Sequence, residues 1–164
     1  TLAEHERERE VERLTLLRDE MIKKIMARIP KSVLNGHATQ RLANNINISF
    51  LDIEGEAILL YCDEYGLSVS TGSACDSQTL DPSHVILALG RPYEFAHGSM
   101  RFALGKTTTI EDVDYALSVL EPVCALLRKA SPIDVDMNSY DANKISASNA
   151  FIGEDRPHFL KKNN

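Results

Sequence analysis

The residues of this chain best suited to chemistry are Ser70-Thr71-Gly72-Ser73-Ala74-Cys75, a run of small side chains that ends on a cysteine and opens an acidic, proline-bearing segment. Such a loop can present a thiol to a group that arrives from elsewhere. A cysteine works as the thiolate, and a free thiol near pKa 8.5 is mostly protonated at neutral pH, so its surroundings must activate it. Asp76, next in the chain, opposes that activation. No Cys/His spacing typical of a metal site accompanies Cys75, and no phosphate-cradling motif precedes it. By residue type alone the plainer reading is an ordinary surface-loop cysteine. Cys62 and Cys124 lie on the apolar faces of expected helices and read as buried, inert thiols.

Composition narrows the class. A chain of 164 residues suits one domain with a real core. A net charge of -6 argues against broad nucleic-acid binding, which needs a basic surface. Three widely spaced cysteines and no secretory apolar region argue against a disulfide framework and for a reducing, cytoplasmic setting. No apolar run is long enough to read as a membrane span.

The elements that must position the thiol follow from periodicity. Val11, Leu14, Leu17, Met21, Ile25 and Ile29 recur in steps of three and four, which predicts an amphipathic helix ended by Pro30. The charged run Glu4 to Glu10 ahead of them reads as a solvated face. The chain opens inside this helix, as a segment of something longer would. Val33-Leu34 and Ile46 to Phe50 read as strands, with a turn signal at Asn35-Gly36 between them. Ala57 to Tyr65 reads as a helix closed by Gly66, and Leu67 to Ser70 as a strand feeding the cysteine loop. Asp81-Pro82 is expected to open a helix, with Asp81 as its cap, that stops at Gly90. Met100 to Leu104 is a further strand. The last helix is expected from Thr108 or Thr109, with capping-box spacing from Thr108 to Glu111 and a kink at Pro122. The sum is an α+β domain over residues 1–132, its helices packed on a small, mostly antiparallel sheet. Residues 133–164 read as a polar tail, mobile or ordered only against a partner.

In order and spacing, the segments Asn44 to Phe50, Glu54-Gly55-Glu56, Ser70 to Cys75, Leu80 to Val85 and Met100 to Gly105 resemble the C-terminal part of cysteine desulfurases. The likeness is to the iron-sulfur-assembly and nitrogen-fixation type. It implies the small C-terminal domain of a fold-type I pyridoxal-phosphate enzyme that converts cysteine to alanine. Cys75 would be the nucleophile that takes the sulfur as a persulfide, and Arg101 the group that holds the substrate carboxylate. His97 and Asn44 match family positions that support the site, with structural hydrogen-bonding roles as the plainer alternative, and Glu56 matches another. The family's cofactor lysine and its neighbouring motifs are absent: Lys23, Lys24, Lys31, Lys106, Lys129, Lys144, Lys161 and Lys162 all stand in other contexts. The resemblance therefore implies that a complementary domain or chain carries most of the pyridoxal-phosphate site. It also implies a homodimer when whole, and a sulfur acceptor such as an iron-sulfur scaffold protein. Two other classes stay open: a sulfur carrier or cluster-ligand module in which Cys75 binds persulfide or iron, and a docking domain that works through its tail.

Overall fold

The computed structural model describes residues 2–72 and 82–137, so Cys75, Asp81 and most of the expected tail lie outside the described residues. In chain order the elements are α1 (Leu2–Arg28), β1 (Ser32–Leu34), β2 (Asn45–Phe50), α2 (Gly55–Glu64), β3 (Ser70–Thr71), α3 (His84–Ala88), α4 (Tyr93–His97), β4 (Ser99–Ala103) and α5 (Ile110–Ala130). The strands form one sheet in the order β1-β2-β4-β3, every pair antiparallel. This is the α+β arrangement that the alternation of short strands and amphipathic helices predicts.

The central pair β2 and β4 divides the molecule. Its register sets Ile46 opposite Phe102 and Ile48 opposite Met100, and these four are buried on one face with Phe50. Against that face pack Met21 and Ile25 of α1, Ile58 and Cys62 of α2, and Leu117 and Leu120 of α5. The alternate positions Asn45, Asn47, Ser49, Ser99, Arg101 and Ala103 share the other face, because successive strand residues point to opposite sides. Leu51, Phe95 and Val135, with half-buried Val33, form a small second cluster beside it. Ser49 and Ser99 are accordingly fully buried, while Arg101 and Ala103 are exposed.

Several local expectations change. The stripe of α1 reaches the core from Leu14 onward, and Val11 is exposed. The charged start of α1 is tied to the β4–α5 turn: the Arg13 guanidinium donates to the carbonyls of Gly105, Lys106 and Thr108 while paired with Glu10, and Glu6 meets Lys106. The third strand is only Ser70–Thr71, since Leu67 is still bonded to the Cys62 carbonyl at the end of α2. Helix α3 starts at His84 with Ser83 ahead of it, so Pro82 lies outside the helix. Helix α4 had no sequence signal. The capping box of α5 joins Thr109 to Asp112, while the Thr108 hydroxyl accepts from the Gly105 amide. Helix α5 runs unbroken through Pro122, whose ring is exposed, as is Ser118, the residue whose carbonyl loses its donor.

The segment after α5 is anchored for its first few residues. Lys31 and Asp52 both adopt the left-handed region, at φ 50° and 67°, and pair at 2.6 Å. The Lys31 ammonium also reaches Asp134 and the Val135 carbonyl, and the Val135 amide donates to Asp52 at 2.7 Å. Packed residues thus extend past Pro132 to Val135, within the stretch expected as tail.

Gly98 joins α4 to β4 where a Cβ would stand 2.2 Å from the Phe50 carbonyl oxygen, a rigid backbone neighbour. Gly66 has open space around its Cβ position and only its φ of 73° to oppose substitution. Gly98→Ala is therefore expected to destabilise by about 3 kcal/mol and Gly66→Ala by about 1 kcal/mol, compared by urea unfolding; equal midpoints would contradict the close approach.

Candidate functional site

Arg101 stands in mid-strand on the polar face of the sheet, between its neighbours Asn47 on β2 and Ser70 on β3. Among the described residues its guanidinium makes one long contact, 3.4 Å, to the Ser70 hydroxyl, which itself donates to the Thr71 carbonyl. A planar, permanently charged fork left exposed in this way suits a carboxylate, which it can hold with two parallel donors.

From Ser70 and Thr71 the chain passes through Gly72 into the stretch that contains Cys75. Gly72 is fixed at the base of that stretch: its amide donates to the Ser99 carbonyl at 3.2 Å. A Cβ on Gly72 would fall 2.3 Å from the Ser99 hydroxyl and 3.0 Å from the Ser83 Cβ. Gly72 and Ser83, which bracket residues 73–82, are thus drawn together over one serine of β4. The Ser99 hydroxyl is held in turn by the Ala96 carbonyl at 2.8 Å.

His97 and Asn44 are directed to other partners. His97 ends α4, with Nδ1 3.5 Å from a Glu54 carboxylate oxygen and its ring 4.3 Å from that of Tyr93. Its Nε2 is buried without a hydrogen-bond partner among the described residues. The His97 carbonyl lies where a Cβ on Gly55 would come within 3.0 Å, so α4 ends against the start of α2. Asn44 extends the central ladder, its side chain donating to the Leu104 carbonyl and its own carbonyl accepting from the Leu104 amide. Glu56, in the first turn of α2, is exposed.

A polar network on the same face had not been expected as part of a site. Buried Asn35 donates its amide to Asn47 Oδ1 and to the Ser49 hydroxyl, both at 2.8 Å, and accepts from Arg91 Nε at 3.2 Å. Arg91 also donates to the Leu34 carbonyl, and burial pushes its guanidinium down from the usual range. The alternation Asn45-Ile46-Asn47-Ile48-Ser49 was the available signal, because it forces the three polar side chains onto the face that carries Arg101.

The described cysteines are unsuited to nucleophilic work. Burial raises the Cys62 thiol to about 11 and the Cys124 thiol to about 12. Among the described residues no group of His, Cys, Asp and Glu side chains could hold a metal ion, and no helix is long and apolar enough to cross a membrane. Lys24, Lys31 and Lys106 are held protonated, mainly by hydrogen bonds to Asp114, to Asp134 and Asp52, and to Glu6 respectively.

Comparison with known proteins gives the family and the fold. Residues 3–116 match the aminotransferase class-V family. Cysteine desulfurase IscS of Dictyoglomus turgidum is 53% identical over 131 residues, 80% of this chain and 33% of that protein. Cysteine desulfurase IscS of Methanosarcina thermophila is 51% identical over 120 residues, 73% of this chain and 30% of that protein. A solved NifS-like protein is 26% identical with a TM-score of 0.66, over 77% of this chain and 31% of its own. The chain spans about a third of the length of the curated relatives it matches.

Thiolate fractions at pH 8 would be on the order of one in a thousand or less for thiols shifted this far. Iodoacetamide is therefore expected to spare Cys62 and Cys124 in the folded protein at pH 8 and to label every cysteine after denaturation. Labelling of either at the rate of a free thiol before unfolding would contradict their burial.

Proposed function

The chain belongs to the aminotransferase class-V family, and on that premise we propose that it is the part of a cysteine desulfurase that carries the sulfur-accepting thiol and the substrate-carboxylate clamp. One observation supports this most: the strand that leads into the Cys75 stretch is paired, in register, with the strand that carries Arg101. Cys75 is the third residue after Gly72, so the thiol's Cα is tethered within about 11 Å of that anchor whatever path the chain takes.

Arg101 would hold the cysteine carboxylate, leaving the substrate sulfur free to meet the loop thiol. The C–S bond of cysteine breaks, its sulfur joins Cys75 as a persulfide, and alanine leaves with the hydrogen balance preserved. Two sulfurs are oxidised from thiol to persulfide while the substrate's Cβ is reduced to a methyl group, so no outside oxidant is needed. Small residues around Cys75 suit a segment that must serve two positions, one at the substrate and one at the acceptor.

Pyridoxal phosphate, when bound, supplies the electron sink for that bond cleavage. The described lysines do not fit its attachment: Lys24, Lys31 and Lys106 are ion-paired, and Lys23 and Lys129 extend from exposed helix positions. The cofactor is accordingly assigned to a complementary domain or chain, with which the enzyme works as a homodimer in the cytoplasm. The persulfide passes to an acceptor of the iron-sulfur-assembly or thiolation kind.

With the cofactor-loaded complement and cysteine, mass spectrometry is expected to find one added sulfur on the peptide carrying Cys75 and none on those carrying Cys62 or Cys124. Cys75→Ser should abolish the adduct. Arg101→Ala should raise KM for cysteine about tenfold or more, the loss expected for a hydrogen bond to a charged group. An adduct that persists in Cys75→Ser, or its absence from Cys75 in the active enzyme, would overturn the assignment.

A further inference from the structure

We propose that Asn47 is a second substrate-binding residue, donating its side-chain amide to the same carboxylate that Arg101 holds. This rests on the reading of Arg101 as the carboxylate clamp, and adds to it a partner on the neighbouring strand.

The polarity of the Asn35 network decides which end of Asn47 faces outward. A guanidinium can only donate, so the atom of Asn35 that meets Arg91 Nε must be its carbonyl oxygen. Both amide hydrogens of Asn35 are then spent on Asn47 Oδ1 and Ser49 Oγ, at 2.8 Å each. Asn47 therefore turns its oxygen inward and keeps its NH2 group as the outward group. Ordinary Asn side chains can flip; this one is fixed by a relay that begins at a group unable to accept.

The register places that donor beside a second one. Asn47 and Arg101 are direct cross-strand partners on the polar face, where opposed Cβ atoms stand about 5 Å apart. Among the described residues the Asn47 NH2 has no acceptor, and Arg101 has only its long contact to Ser70. Two adjacent donors cannot satisfy one another. The acceptor that completes them comes from beyond the described residues, must reach both, and must be an anion or a strong dipole. A carboxylate offers two oxygens with lone pairs enough for the guanidinium fork and the amide together. Asn35, at 2% exposure, and Ser49, fully buried, keep the relay dry and so keep Asn47 in one orientation.

The test uses the enzyme assembled with its cofactor-bearing complement. Asn47→Asp keeps the shape and the oxygen that accepts from Asn35 while replacing the outward donor with an acceptor; Asn47→Ala removes the side chain. Equilibrium binding of L-alanine, measured by calorimetry, is expected to weaken about tenfold in Asn47→Ala, and further in Asn47→Asp, where like charges meet. Binding of ethylamine, which lacks the carboxylate, should be unchanged in both. Wild-type alanine affinity in both variants, with affinity lost in Arg101→Ala, would refute the role of Asn47 and leave that of Arg101 standing. Undiminished affinity in Arg101→Ala would refute the clamp itself, and with it this extension. Equal loss of alanine and ethylamine binding would also refute the proposal, because the side chain would then act on the fold and not on the carboxylate.

Discussion

The pairing of β2 with β4 is the constraint on which the rest of the molecule depends. A shift of one residue would carry Ile46, Ile48, Met100 and Phe102 away from the helices and bury Asn47 and Arg101 in their place. The apolar alternation on both strands makes that slip costly, since each large aliphatic side chain taken out of water contributes roughly 1.5–3 kcal/mol. Gly98 tightens the register further by letting the start of β4 approach the Phe50 carbonyl, while the Phe50 amide donates to the Gly98 carbonyl at 2.9 Å. The hydrophobic face thus fixes the polar one. The same register that fills the core sets Asn47, Arg101 and Ser70 in a row across three strands.

A second consequence concerns how the thiol stretch is held. Gly72 at one end and Ser83 at the other meet above Ser99, whose hydroxyl is fixed by the end of α4. Beyond Ser83, α3 leads to Gly90 and Arg91, and Arg91 is the first member of the relay that orients Asn47. The segments before and after the thiol stretch are therefore each bonded to residues of the polar face.

Much of this was legible from residue types. Period-two alternation gave β2 to within a residue, the run Met100 to Leu104 gave β4 as closely, steps of three and four gave α1 and α5, and the burial of Cys62 and Cys124 followed from their helical faces. What failed did so for physical reasons. Tyr93-Glu94-Phe95-Ala96-His97 is a single short turn of helix after Pro92, too brief for any periodicity to register, yet its Phe95 is fully buried and helps cover the second face. β3 is two residues long because only Ser70 and Thr71 reach β4; Leu67 and Val69 pack onto the core without pairing. Thr108 and Thr109 have interchangeable spacings, and the carboxylate of Asp112 selects Thr109. For the proposed site, Cys75 lies outside the described residues, and Arg101 stands in the strand where the sequence put it. Asn35 could not be read in advance, since a residue that looks like half of a turn signal becomes a buried donor only when β1 and β2 bring it against Asn47 and Ser49.

The central claim is that a fixed loop base and a carboxylate clamp on one sheet face serve the same substrate. Gly72→Ala in the assembled, cofactor-loaded enzyme tests it most directly, because the added methyl would press on Ser99 and Ser83 and on nothing that holds the carboxylate. Two quantities are read on the same sample: sulfur loading of Cys75 by mass spectrometry after a short pulse of cysteine, and the affinity for L-alanine. The account predicts loading slowed by about tenfold or more, the effect of a misplacement on the order of 1 Å, with alanine affinity unchanged. Loading at the wild-type rate with a displaced loop base would contradict it.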